Sequence, residues 1–87
     1  MAGAVRTEAY QNFLAALVAL RKAKGLSQAE LARSLGKPAS FVGKYELGER
    51  RLDVVETFVI LKALGEEPAG FLERCIPDVL LLRSNSA

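Results

Sequence analysis

Apolar positions recur along this chain at spacings of three and four residues, in five blocks separated by glycine or proline, and no stretch follows the alternation of a strand. The first block holds Tyr10, Phe13, Leu14, Leu17 and Val18, with Arg21 continuing the same face. Thr7 can cap its start, Glu8 suits its first turn, and Lys22 and Lys24 suit its negative end, where Gly25 stops it. Ser27 and Glu30 make a capping box for the second block, which turns Leu31, Ala32 and Leu35 inward and ends at Gly36. Pro38 can open a third helix but cannot sit inside one, so that helix is expected from position 38 or 39 to 47, stopped by Gly48. Asp53 and Glu56 form a second capping box. They open a fourth helix whose buried face is read as Val54, Val55, Phe58, Leu61 and Leu64, with Gly65 at its end. Pro68 starts a short fifth helix to about Arg74, with Phe71 and Leu72 inward. Pro77 then breaks the pattern before an apolar run at 79–82 and a polar end. The pattern predicts an all-α, five-helix domain over residues 7–76, followed by a C-terminal apolar segment and tail over 77–87.

Composition narrows the chemistry. Eighty-seven residues, 51% of them hydrophobic, make one small domain with one core. The longest apolar run, residues 13–20, is far too short to span a bilayer and meets Arg21 and Lys22 at once. Only Arg6 precedes a polar N-terminal segment, so neither a membrane span nor a secretory signal is expected. One cysteine, Cys75, and no histidine fit a reducing, cytoplasmic compartment. They also exclude an internal disulfide, a His-based triad and the usual zinc sets, so no metal or cofactor is expected. The paired carboxylates, Asp53 with Glu56 and Glu66 with Glu67, stand at helix starts where capping explains them, and the chain reads as non-enzymatic.

Charge is more telling in its distribution than in its net value of +2. Residues 20–51 hold eight basic groups (Arg21, Lys22, Lys24, Arg33, Lys37, Lys44, Arg50, Arg51) against Glu30, Glu46 and Glu49. Residues 52–87 lean acidic. The basic stretch coincides with residues 27–48, SQAELARSLGKPASFVGKYELG, which read as two short helices around a tight turn. Two helices crossing steeply need a small residue at closest approach and one tolerant of left-handed angles at the corner. Ala32 and Gly36 meet those needs. Val42 and Tyr45 then face inward against Leu31 and Leu35, while Ala39, Ser40, Gly43 and Lys44 face outward. That arrangement is a helix-turn-helix, whose second helix is offered to the major groove of double-stranded DNA.

The strings LRKAKGLSQAELARSLG, KYELG and LKALG extend the likeness beyond the bare turn. Over residues 17–73 the chain resembles the Xre/Cro-repressor family of helix-turn-helix DNA-binding domains, whose fold is the lambda-repressor-like five-helix domain. The resemblance implies a DNA-binding transcription regulator, usually dimeric, on a pseudo-palindromic operator near its own or a neighbouring gene. It places Gln28 at a phosphate, Arg21 with Glu46 as a salt bridge between helices one and three, and Arg50 and Arg51 in a loop touching the DNA backbone. Helix three departs from the family. Ala39 stands where glutamine is frequent, which removes a bidentate adenine contact, and Lys37 stands where an apolar turn residue is common. Gly43 sits mid-helix at a cost of about 1 kcal/mol, read either as close approach to DNA or as a tolerated glycine. Base reading falls to Lys44 and Ser40, with Ala39 against a thymine methyl and Phe41 assigned to packing. With so few hydrogen-bonding side chains there, shape and backbone contacts are expected to carry much of the specificity.

The C-terminal part supplies more apolar surface than five helices need. Phe71, Leu72, Ile76, Val79, Leu80, Leu81 and Leu82 are expected to pair two copies, together with part of helix four, or to fold back on helix one. The leading reading is a sequence-specific regulator, in the main a repressor or autoregulator, working as a homodimer. The alternative is a protein-interaction module: an antitoxin neutralising a toxin, or a bridging coactivator that meets a polymerase.

Overall fold

The computed structural model describes residues 7–75, in which five helices follow one another: α1 (Glu8–Ala23), α2 (Gln28–Ser34), α3 (Ser40–Glu46), α4 (Val54–Ala63) and α5 (Pro68–Cys75). Ile76 and the apolar run at 79–82 lie outside the described residues. Local chemistry accounts for most boundaries. The Thr7 hydroxyl accepts from Tyr10 N–H at the start of α1, and both capping boxes, Ser27 with Glu30 and Asp53 with Glu56, close reciprocally. Helix α3 lacks a side-chain cap at Ala39; the Phe41 N–H instead donates to the Pro38 carbonyl, a tighter turn leading into the helix. At the corner between α2 and α3, Gly36 has φ +69, its N–H donates to Arg33 and the next N–H, of Lys37, donates to Ala32. That left-handed step reverses the chain without leaving the last carbonyls of α2 unpaired.

Helix α1 runs past both α3 and α5, while α2 packs chiefly on α3. Leu17, Leu31, Ala32, Val42, Tyr45 and Leu61 are wholly buried, and Phe13, Leu14, Phe41, Leu52, Ile60, Leu64 and Phe71 complete the core. Each large side chain contributes about 1.5–3 kcal/mol of burial, which fixes α3 against α1 and α2 far more firmly than the propensity of seven residues could. The loop between α3 and α4 is pinned to α1, where the Leu52 N–H donates to the Tyr10 hydroxyl at 3.2 Å.

Helix α4 corrects the sequence reading. Leu61 and Leu64 are buried, but the inward face is completed by Ile60, whereas Val54, Val55 and Phe58 are exposed at 84%, 70% and 52%. Seven of the ten α4 residues are apolar, so periodicity singles out no stripe, and contact with the rest of the core decides which side turns in.

Candidate functional site

The outward side of α3 carries Ala39, Ser40 and Lys44, all exposed, and the turn before it carries exposed Lys37. Val42 and Tyr45, on the opposite side, are fully buried. Gly43 does not point to open solvent. A Cβ there would meet Gln28 Oε1 at 3.3 Å, so the glycine lets the Gln28 carboxamide lie across α3.

That carboxamide belongs to a network that fixes α3. Arg21 Nε donates to Glu46 Oε2 at 2.7 Å and its Nη2 donates to Oε1 at 3.1 Å, while Nη1 donates to the Leu26 carbonyl at 2.8 Å. Gln28 Nε2 donates to the same Glu46 Oε1 at 2.8 Å. One carboxylate near the end of α3 thus receives a donor from α1 and another from the start of α2. Both ionic side chains are more than nine-tenths buried, and the hydrogen bonds that Arg21 donates to Glu46 hold its guanidinium pKa above the ordinary value. With Glu46 engaged, one N–H of the Gln28 amide remains for a further acceptor at the α2–α3 surface.

The basic residues differ in how freely they can meet an anion. Arg50 donates from Nη1 to Glu56 Oε1 at 2.9 Å and from Nη2 to Glu56 Oε2 at 2.6 Å, and its guanidinium lies 5.0 Å from the Phe41 ring. Lys37 Nζ lies 5.4 Å from the same ring, and the Arg51 guanidinium lies 5.2 Å from the Tyr10 ring. Bonding to Arg50 and to the Asp53 N–H holds the Glu56 carboxyl down at about 2. No ion pair among the described residues engages Lys44. The sequence did not reveal the Arg50–Glu56 pair, because Glu56 was fully accounted for as a capping residue. Its two oxygens serve both roles, and six residues of separation across a loop carry no periodic signal.

The contacts expected between copies divide sharply. Phe71 is buried in this chain's own core and Leu72 is half-buried; the remaining members of that set lie outside the described residues.

Tyr45 carries an unsatisfied polar atom within the site's support. Its ring packs edge-on against Phe41 at 5.5 Å, yet its buried hydroxyl has no hydrogen-bond partner among the described residues. Burial foremost, and the Glu46 charge after it, push the phenol pKa up. Tyr45→Phe removes an unsatisfied polar atom without altering shape. It is expected to stabilise the fold by about 1 kcal/mol and raise Tm by several degrees in a thermal melt. A lower Tm would show that the hydroxyl is satisfied in solution.

A helix-turn-helix family pattern matches residues 17–71. The chain is similar to the solved structure of an XRE-family like protein from Pseudomonas syringae pv. tomato, with 39% sequence identity over 86% of this chain and 94% of that one, and a TM-score of 0.76. No curated protein matches it. Among the described residues no helix is long and apolar enough to cross a membrane.

Proposed function

The chain belongs to the Xre-type helix-turn-helix family of DNA-binding regulators, and from that premise we propose that it is a sequence-specific repressor of its own promoter region, acting in the cytoplasm as a dimer on a pseudo-palindromic operator. The observation that carries this reading is the outward face of α3. Ser40 and Lys44 stand exposed there, and the opposite face is locked by Tyr45 and by the Arg21–Glu46–Gln28 network. A fixed helix presenting few hydrogen-bonding side chains reads the groove through Lys44 and Ser40, and positions itself through phosphate contacts from Gln28, Lys37 and Arg51. Ala39 is placed for apolar contact with a thymine methyl. Arg50 contributes less, since a phosphate must compete with the bidentate carboxylate of Glu56. A two-fold pair places the two copies of α3 about 34 Å apart, one helical turn of DNA.

Binding to DNA from the chain's own upstream region, followed by fluorescence anisotropy over a salt series, tests the reading. Lys44→Ala is expected to weaken binding by about tenfold and to lower the salt slope by about 1. A shuffled duplex should bind far more weakly. Equal, weak binding to both duplexes would reject the reading in favour of a protein-interaction module.

A further inference from the structure

A dimer on a two-fold operator needs a surface that joins two copies, and the described residues carry an apolar face of α4 that the fold itself does not use. Val54, Val55, Phe58 and Val59 are exposed at 84%, 70%, 52% and 46%, and they share the side of α4 opposite buried Ile60, Leu61 and Leu64. Together they expose on the order of 400 Å² of apolar surface, the size at which a patch on a monomer marks an interaction site. Three of the four are β-branched valines, poorer helix formers than the polar residues a solvent face would hold. Neither helix propensity nor the internal core accounts for them.

We propose that this face of α4 is the contact between two copies of the chain, packed helix against helix in antiparallel sense about a two-fold axis near Phe58. The inference rests on the dimeric reading above and gives that dimer its surface. Three features favour a second copy over another occupant. The stripe forms a ridge between two apolar grooves. One, of about 320 Å³, is lined by Tyr10, Leu52, Val54, Phe58 and Leu72; the other, of about 120 Å³, by Leu35, Phe41, Val55 and Val59. A ridge flanked by grooves is the shape that a helix of the same kind can fill. The stripe is also self-complementary in charge. Lys62 stands at its C-terminal end, its Nζ 5.9 Å from the Phe58 ring, and the exposed carboxylate of Asp53 stands at the other end. Antiparallel pairing brings each Lys62 beside the partner's Asp53, as an isologous interface requires. Finally, the exposed area is about half of the 800 Å² that each partner contributes to a standard interface, and the groove walls on either side add to it. The smaller groove includes Lys37 and Phe41, so the joint adjoins the base of the reading helix and couples pairing to the placement of α3.

Sedimentation of the full chain tests the surface directly. Wild type is expected to sediment at twice its 9.4 kDa monomer mass, and Phe58→Asp, at an exposed position, is expected to keep its helical spectrum while weakening self-association by at least about 30-fold. Phe58→Cys in a Cys75→Ser background should form a disulfide-linked dimer on mild oxidation, because a residue near the axis meets its own copy. A monomeric wild type overturns the proposal. So does a Phe58→Asp protein that still pairs, and if that pairing is lost on truncation after Cys75 the joint belongs to the C-terminal segment. Binding of the Phe58→Asp monomer to a duplex carrying a single half-site is read separately. Its loss, with wild-type pairing abolished as expected, would defeat the DNA reading and leave the α4 joint standing.

Discussion

Glu46→Ala is expected to lower the unfolding free energy by about 2–3 kcal/mol, measured by denaturant titration at unchanged m-value. Removing the carboxylate leaves Arg21, only 8% exposed, with the Leu26 carbonyl as its remaining partner. The cost is therefore that of an uncompensated, nearly buried cation. It exceeds the worth of the pair itself, because a buried ion pair recovers little beyond its own desolvation. The double variant Arg21→Met, Glu46→Leu separates the two terms. It should regain most of the lost stability while still lacking the hydrogen bond that ties Gln28, and thereby the start of α2, to α3. DNA affinity should then stay reduced although the fold is restored. If Glu46→Ala lies within about 0.5 kcal/mol of wild type, the network does not hold the reading helix.

Ala32→Leu carries the second large effect. Ala32 is fully buried in α2, the helix that packs chiefly on α3, and its carbonyl accepts the Lys37 N–H that closes the turn. Three extra carbons at that point have no space to enter. They must push the two helices apart, at about 2–3 kcal/mol. The functional signature differs from simple instability. A variant that still folds would present Ser40 and Lys44 at an altered angle, losing preference for the operator while salt-dependent binding to any duplex persists. Anisotropy with specific and shuffled duplexes, at a temperature where circular dichroism shows the variant folded, reads that difference. Wild-type preference in a folded Ala32→Leu protein would mean that the crossing is set elsewhere.

The two substitutions act on the same quantity, the placement of a seven-residue helix that cannot hold its own position in water. Glu46 fixes it through the ion pair to α1 and the amide of Gln28, and Ala32 fixes it from the core side. Helices α2 and α1 pack on it directly, and α4 lines a groove together with its Phe41. On the proposed reading, this fixed placement offsets the few hydrogen-bonding groups on the outward face of α3.

Much of this protein was legible in the chain alone. The five helices, both capping boxes and the turn at Gly36 follow from interactions within four or five residues, and such interactions are settled wherever the right residues fall in order. The buried sides of α1, α2 and α3 were legible too, because each carries a clear contrast between apolar and polar positions. The tertiary structure decided what depends on distant partners. In α4, apolar on most sides, only packing against the rest of the core could choose Ile60, Leu61 and Leu64 and leave Val54, Val55 and Phe58 outside. Gly43 gained its meaning from Gln28, fifteen positions earlier. Arg50 lost part of its availability to Glu56 across a loop with no periodicity to announce it. Local order fixes where elements begin and end; which of their faces meet is a property of the assembled core, where every helix competes for the same buried area.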